Sequence, residues 1–99
     1  MAADLIIAPE AEEDLSEAYG WYEERRFGLG EEFLGAVRAT ISEILRMPTR
    51  FRKVKGEYRR ALVRRFPYVV FYEYDAETVT VYYISHSARD TALWNDRLP

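Results

Sequence analysis

The chain contains no cysteine and only one histidine, His86, among its 99 residues. The lack of cysteine excludes disulfides, zinc sites with thiolate ligands and cysteine nucleophiles. No histidine accompanies the glutamates of the N-terminal third, so the spacing of a metal site is missing and no cofactor is expected. The apolar run Leu5–Ala8 is too short for a signal peptide, and no run approaches the ~20 residues of a membrane span. We therefore expect a cytoplasmic protein without membrane contact.

The charges are distributed unevenly along a chain of ordinary globular composition. Its length predicts a single domain over residues 1–99. Residues 1–45 contain 11 acidic and 3 basic residues, residues 46–65 contain 1 and 9, and residues 66–99 contain 5 and 2. A basic block in an acidic protein suggests an anionic partner at one face. Alternatively, the basic side chains pair with the acidic helices, and the sequence leaves both interpretations open.

The N-terminal half predicts one strand and a helical hairpin. The continuous apolar run in Asp4–Ala8 suits a strand buried on both faces. Pro9 and the acidic residues after it start a helix over Pro9–Arg26. The two glycines in Phe27–Gly30 then break the helix. A clean amphipathic pattern predicts a second helix over Glu31–Met47, which Pro48 ends.

The C-terminal half predicts an antiparallel meander. A basic loop over residues 49–56 precedes three strands rich in Val, Tyr, Phe and Ile, at Tyr58–Arg64, Phe66–Tyr74 and Thr78–His86. A short helix over Ala88–Leu98 follows. The predicted fold is α+β, in the order βααβββ(α), with the N-terminal strand and the hairpin packed on an antiparallel sheet.

Strict alternation predicts which side chains share a face of the last two strands. In the second strand of the meander, Tyr68, Val70 and Tyr72 should oppose Val69 and Phe71. In the third strand, one face should carry Val79, Val81 and Tyr83, and the other face should carry Thr80, Tyr82 and Ile84. Because both faces are largely apolar, one should pack on the helices and the other should be partly covered.

Two groups of residues could carry chemistry. His86 lies near Ser85, Ser87 and Asp90, but no Gly-x-Ser-x-Gly turn is present, so a structural histidine is favoured over a catalytic triad. The other group is basic: Arg59, Arg60, Arg64, Arg65 and Arg89. Guanidinium groups can clamp a phosphate through two hydrogen bonds. Charges on an edge strand also discourage aggregation, and the sequence does not separate these roles.

Three motifs resemble the RelE/ParE superfamily, toxins of bacterial type II toxin–antitoxin systems. They are the helix start Pro9–Leu15, the strand Arg65–Tyr72 and the closing motif Ser85–Asp90, which is typical of the ParE-like branch. The resemblance implies a toxin that inhibits DNA gyrase by binding and forms a hetero-oligomer with a cognate antitoxin.

The resemblance also implies an alternative, since RelE-like members cleave mRNA at the ribosome. The RNase branch uses basic residues of the sheet and a C-terminal tyrosine. Here Arg89 matches one of those basic residues, Val69 stands at an arginine position, and Trp94 and Asn95 lie near the tyrosine position. If the protein is a nuclease, the candidate residues are Arg59, Arg64, His86 and Arg89. A third possibility is a non-toxic module that binds protein or DNA.

The ParE-like interpretation assigns two sets of contact residues. The set for the target is Arg60, Arg64, Arg65, Arg89 and Trp94. The set for the antitoxin is Leu15, Tyr19, Tyr22, Val37, Ile41, Arg59 and Leu62.

Overall fold

A computed structural model describes residues 3–87 of the chain. It contains two helices and five strands: β1 (Asp4–Ile7), α1 (Pro9–Arg25), α2 (Leu29–Arg46), β2 (Arg52–Lys55), β3 (Tyr58–Leu62), β4 (Tyr68–Asp75) and β5 (Thr78–His86). The predicted α+β fold class is confirmed. The predicted C-terminal helix Ala88–Leu98, and with it Arg89 and Trp94, lies outside the described residues.

The five strands form one mixed sheet in the order β1-β5-β4-β3-β2. Strands β3, β4 and β5 pair antiparallel, which confirms the predicted meander. Strand β1 pairs parallel to β5, with Leu5 opposite Val79 and Ile7 opposite Val81. The first and last strands of the described chain are therefore neighbours, and β1 and β2 form the two edges of the sheet.

The helical hairpin packs on one face of the sheet and buries the main core. Phe33, Val37 and Ile44 of α2 meet Val70 and Tyr72 of β4 in this core. An aromatic group lies at one end of it: the ring of Phe33 is 5.2 Å from that of Tyr22 and 5.0 Å from that of Tyr68, measured between centroids. The amphipathic pattern of α2 thus identified the buried side of the hairpin correctly.

The opposite face of the sheet, here called the outer face, carries a smaller apolar cluster. Val69 and Phe71 are fully buried there, against the partly buried side chains of Val54, Tyr58, Tyr82 and Tyr83. This confirms the predicted alternation in β4. In β5 the prediction was right for Val79, Val81 and Tyr82. It was wrong for Tyr83 and Ile84, because a register shift places Tyr83 opposite Phe71 and Val81 opposite Tyr72. Tyr82 becomes an extra residue, both tyrosines join the outer cluster, and Ile84 returns to the main core.

Three further differences separate the observed elements from the predicted ones. Strand β1 lies at an edge, where Leu5 is 40% and Ile6 54% exposed, so the expectation of a strand buried on both faces was wrong. The predicted basic loop contains strand β2, which pairs with β3 although its sequence Arg-Lys-Val-Lys lacks apolar alternation. The loop between β3 and β4 is longer than predicted and includes Arg65 with a φ of 71°.

Candidate functional site

Strands β2 and β3 gather five basic residues at one edge of the sheet. Arg52 lies opposite Arg60, and Lys53 lies opposite Arg59. Like charges directly opposite each other on neighbouring strands destabilise the pairing. The carboxylate of Glu57 offsets part of this repulsion, since its Oε2 lies 3.2 Å from Lys53 Nζ. The sheet therefore places a dense positive charge at its β2 edge.

Arg59 has a structural task that the sequence did not reveal. Its Nη1 donates hydrogen bonds to the carbonyl oxygens of Thr49 at 3.1 Å and Phe51 at 2.7 Å. Tyr72, opposite Arg59 on β4, donates its hydroxyl to the Pro48 carbonyl at 2.7 Å. Burial raises the pKa of Tyr72 to about 12, and the positive charge of Arg59 acts in the other direction. Together the two side chains hold the segment that leads from α2 into β2.

Arg60 lies on the outer face, because it is opposite Phe71 and directly opposed residues share a face. A tyrosine pair occupies the same face: the rings of Tyr58 and Tyr82 meet edge to face at 5.5 Å, and the Tyr82 hydroxyl lies 3.1 Å from Glu73 Oε1. Burial raises the pKa of Tyr82 to about 12, and the hydrogen bond with the Glu73 carboxylate contributes. Little phenolate therefore forms on this hydroxyl near neutral pH.

Arg64 and Arg65 lie on a different surface, beside α2 in the loop between β3 and β4. Arg65 Nη2 is 2.9 Å from Glu32 Oε1, and the side chain of Arg64, which is 83% exposed, reaches Glu43 at 3.7 Å. Arg26 of the helical hairpin adds a second ion pair with Glu32 at 3.0 Å. Hydrogen bonds from Arg65 and then Arg26 lower the pKa of the Glu32 carboxyl.

A groove of about 350 Å³ runs between α2 and this loop. Four small residues of α2 line it, namely Gly35, Ala36, Ala39 and Thr40. The other four lining residues are charged, namely Glu32, Glu43, Arg64 and Arg65. The predicted target set is therefore divided, with Arg60 on the outer face and Arg64 and Arg65 beside the helices. Its remaining members, Arg89 and Trp94, lie outside the described residues.

The candidate nuclease residues are also dispersed. His86 lies opposite Tyr68, and the two rings are 5.3 Å apart, whereas Arg59 lies opposite Tyr72. Four residues along a strand span ~13 Å, so Arg59 and His86 stand far apart on the sheet. Arg64 points toward Glu43 of α2. Residues 3–87 thus do not bring Arg59, Arg64 and His86 together around one reacting phosphate.

The predicted antitoxin set is mostly committed to the core. Tyr22, Val37 and Ile41 are buried between the helices and the sheet, and Leu15 packs against them. Tyr19 is half-buried beside Gly30, and its hydroxyl lies 3.4 Å from Glu31 Oε1. Leu62 differs, since it is 62% exposed at the end of β3. Contact between this set and an antitoxin stays a prediction.

Sequence reasoning missed an exposed aromatic surface at the tip of the helical hairpin. Phe27 is 92% exposed, and Trp21 is half exposed with the guanidinium carbon of Arg25 3.7 Å from its ring centroid. The signal was available, because Phe27 stands in a two-glycine break where no apolar stripe requires it. Within residues 3–87 no group of three or more metal-ligating side chains occurs. In the same range, no helix is long and apolar enough to cross a membrane.

The sequence and the fold are both similar to those of known proteins. Residues 5–91 match the model of a family described as the ParE toxin of the type II toxin–antitoxin system parDE. No curated protein sequence is significantly similar to the chain. The chromosomal ParDE system of P. aeruginosa contains a chain that superposes with a TM-score of 0.75 at 11% identity, covering 86% of this chain and 96% of that one.

Two solved RelB–RelE complexes are similar as well. The RelBE2 complex of Mycobacterium tuberculosis gives a TM-score of 0.63 at 20% identity, with 87% of this chain and 99% of that chain covered. The RelB–RelE complex of Methanococcus jannaschii gives 0.52 at 21% identity, with 95% and 99% covered. At these identities the structures establish a shared fold, while the family match covers nearly the whole chain. The chain therefore belongs to the ParE toxin family of type II toxin–antitoxin systems.

Proposed function

We propose that this toxin inhibits DNA gyrase by binding and that a cognate antitoxin neutralises it in the cytoplasm. The observation that carries the proposal is the burial of Val69, the residue that the resemblance to the superfamily places at an arginine position of the RNase branch. Val69 is fully buried in the outer cluster. A buried valine neither approaches a phosphate nor stabilises its charge. This position therefore supplies no cation for RNA cleavage.

The dispersion of the remaining candidates supports the same proposal. General acid–base cleavage of RNA needs a proton acceptor, a cation and a proton donor within hydrogen-bond reach of one phosphate. Arg59 instead binds two backbone carbonyls, and Arg64 reaches Glu43 of α2. Tyr82, a partly buried phenol of the outer cluster, has a pKa raised to about 12, far from the value that suits a general base at neutral pH.

An antitoxin partner is part of this proposal. The similar structures from P. aeruginosa, M. tuberculosis and M. jannaschii are toxin–antitoxin systems or complexes. This chain also exposes large apolar side chains at several places, including Phe27, Met47 and Leu62. Phe and Met are enriched at protein–protein interfaces relative to the rest of the surface. Production with the product of an adjacent reading frame should therefore yield a stable hetero-oligomer.

Two reactions measured side by side test the proposal. The purified toxin should stop ATP-dependent supercoiling of plasmid by gyrase and leave mRNA intact in a translating extract. Loss of intact mRNA with normal supercoiling would replace gyrase inhibition by ribosome-dependent cleavage. Intact mRNA together with normal supercoiling would exclude both toxic activities and leave a binding module.

Arginine variants locate the target face. Arg64→Ala removes a largely exposed side chain with one long ion pair, so folding should be unaffected while gyrase inhibition weakens. Arg89→Ala should keep its Tm and its antitoxin binding and lose inhibition. The matched control is Arg38→Ala, an exposed arginine of α2 outside the predicted set. Equal inhibition by Arg64→Ala, Arg89→Ala and Arg38→Ala would show that the target binds elsewhere.

A further inference from the structure

Strand β1 is an edge of the sheet with one side open. It pairs with β5, and no strand within residues 3–87 pairs with its other side. The N–H groups of Asp4 and Ala8 donate to backbone carbonyl oxygens on the β5 side, at 3.0 and 2.9 Å. Because successive residues of a strand point their backbone groups to opposite sides, the N–H and C=O groups of Leu5 and Ile7 point away from β5.

The apolar side chains of this edge are exposed on both faces of the sheet. Leu5 lies opposite Val79, a residue of the main core, and therefore shares the face on which the helices pack. It is nevertheless 40% exposed, so the helical hairpin does not cover the edge strand. Ile6 points to the outer face and is 54% exposed. Both faces of the edge thus leave room for another chain.

The two edges of the sheet differ in charge. Strand β2 carries three exposed basic residues, Arg52, Lys53 and Lys55. Charges of this kind on an edge strand oppose its pairing with another sheet. Strand β1 has one charged residue, Asp4 at its start, and neither lysine nor proline. The protein therefore protects the β2 edge against edge-to-edge pairing and leaves the β1 edge without that protection.

The open edge is complementary to a second copy of itself. In an antiparallel arrangement with a two-fold axis at Ile6, Leu5 of each copy lies opposite Ile7 of the other. Such a pair exchanges both of its N–H···O=C hydrogen bonds, so this register uses every outward backbone group of the two residues. A shift by two residues would place Ile6 against Asp4. It would also oppose Ile7 to Ala3, whose N–H already donates to a carbonyl of α2 at 3.3 Å.

We propose that two copies of this chain join their sheets through antiparallel pairing of β1, centred on Ile6. The two Ile6 side chains meet on the outer face at the two-fold axis, and Ile7 of the second copy lies beside Leu5 on the helical face. The assembly closes at two copies, because each chain uses its β1 edge once and its β2 edge stays charged. A strand pair of this length is a small interface, so dimerisation should depend on protein concentration. The dimer does not depend on gyrase as the target.

Sedimentation equilibrium of the purified toxin at rising concentration tests the proposal. The mass should increase from that of one chain to that of two. Ile6→Lys sets two positive charges directly opposite each other and should weaken dimerisation about tenfold, while Tm stays close to wild type because the side chain is exposed. The control Leu62→Lys makes the same change at an exposed apolar residue of β3 and should leave dimerisation unchanged.

Three results would overturn the proposal. A monomer at every concentration would leave the β1 edge to a different partner. An equal loss in Ile6→Lys and Leu62→Lys would place the interface elsewhere. A mass above that of two chains would show that the sheet grows without closing.

Charge exchange tests the register and excludes a defect in folding. An equal mixture of the variants Ile6→Lys and Ile6→Glu should dimerise more tightly than either variant alone, because opposite charges then face each other across the two strands. Misfolded variants would not recover on mixing. Equal association of the mixture and of the separate variants would refute the two-fold axis at Ile6.

A single introduced thiol locates the contact, because the chain has no cysteine of its own. The Ile6 pair is of the kind that exchanges no hydrogen bonds, with the two Cα atoms ~4.5 Å apart, within the span of a disulfide. With diamide as the oxidant, Ile6→Cys should form a covalent dimer at concentrations where Leu62→Cys stays monomeric. Failure of Ile6→Cys to cross-link, or equal cross-linking of both variants, would refute the β1 interface.

Discussion

Asp14 of α1 accepts a hydrogen bond from the backbone N–H of Ile84 in β5, with 2.9 Å between Oδ2 and the nitrogen. The pairing of β1 with β5 ends with Ile7 opposite Val81, and β5 continues to His86. A side chain from α1 thus binds a strand edge that β1 does not reach. The contact joins residues 70 positions apart and ties the helical hairpin to the sheet.

Removal of this carboxylate should destabilise the fold. Asp14→Ala leaves a partly buried backbone N–H without its acceptor, which should lower the free energy of unfolding by ~1.5–3 kcal/mol. Asp14→Asn keeps an oxygen at the same position and should cost less. Urea unfolding followed by circular dichroism measures both changes. The control Glu17→Ala, at an exposed position of α1, should stay close to wild type, and an Asp14→Ala value equal to it would contradict the prediction.

Two glycines of α2 should respond to alanine in opposite directions. A Cβ at Gly30 would lie 2.8 Å from Tyr19 Cε2 and 3.0 Å from Glu23 Oε1, whereas a Cβ at Gly35 would meet nothing within 4 Å. Gly30→Ala should therefore cost ~1–3 kcal/mol through overpacking. Gly35→Ala should stabilise the helix by ~0.5–1 kcal/mol, because glycine is a poor residue in a helix interior.

Glu23 makes the Gly30 substitution more damaging. Its two carboxylate oxygens accept hydrogen bonds from the backbone N–H groups of Gly28 and Gly30, each at 3.0 Å. These N–H groups lie at the N-terminus of α2, where the helix itself offers them no acceptor. Displacement of Tyr19 or Glu23 by a new methyl group would disturb this contact. Thermal unfolding of the two alanine variants in parallel is the measurement. A shift of Tm in the same direction for both would contradict the steric argument.

The helices and the central strands could be predicted because their signals are local. The stripe of α2 and the aromatic residues of β4 each lie within one short segment. Strand β2 could not be predicted, since Arg-Lys-Val-Lys has no alternation of its own and becomes a strand through pairing with β3. Edge position is likewise non-local, and this explains why β1 is more exposed than its apolar sequence indicated.

The candidate residues show the same limit. The sequence identifies Arg59 and Arg65 as basic residues, but their partners lie far along the chain. Arg59 binds the carbonyls of Thr49 and Phe51, and Arg65 pairs with Glu32 across 33 positions. Which arginines are free for a partner therefore depends on the tertiary structure. The sequence analysis grouped five arginines by side-chain type alone, and their tertiary contacts divide that group.

Acid should weaken the contact between the hairpin and the β3–β4 loop. Arg65 and Arg26 lower the pKa of Glu32 in the folded protein. A lowered pKa means that the unfolded state binds the proton more readily, so the contribution is complete above the unfolded pKa of ~4.3 and is lost as pH falls through the folded value. Glu32→Gln should therefore flatten the fall in stability below that pH.

The comparison needs a glutamate on the same hairpin. Glu24→Gln changes the charge equally at an exposed position and should leave the acid slope close to wild type. Urea midpoints measured across the acid range give both slopes. Identical slopes for Glu32→Gln, Glu24→Gln and wild type would show that the Arg26–Glu32–Arg65 contact does not form in solution.

The approach to β2 should loosen when its anchors are removed. Tyr72→Phe deletes one hydroxyl that binds the Pro48 carbonyl, and should cost ~0.5–1.5 kcal/mol. Arg59→Met frees the carbonyls of Thr49 and Phe51 and should cost ~1–3 kcal/mol. Both variants should speed amide exchange in residues 49–55 more than elsewhere, because the anchors act on that segment.

A double-mutant cycle tests whether the two anchors act together. Arg59 and Tyr72 both hold the short segment before β2. Removal of either side chain should therefore already free much of the segment that the other one restrains. The double variant should then cost less than the sum of the single ones, by ~0.5 kcal/mol or more. The control Arg38→Met removes an arginine of α2 and should change neither stability nor exchange in residues 49–55. Strict additivity with unchanged exchange would mean that β2 is held by its ladder with β3 alone.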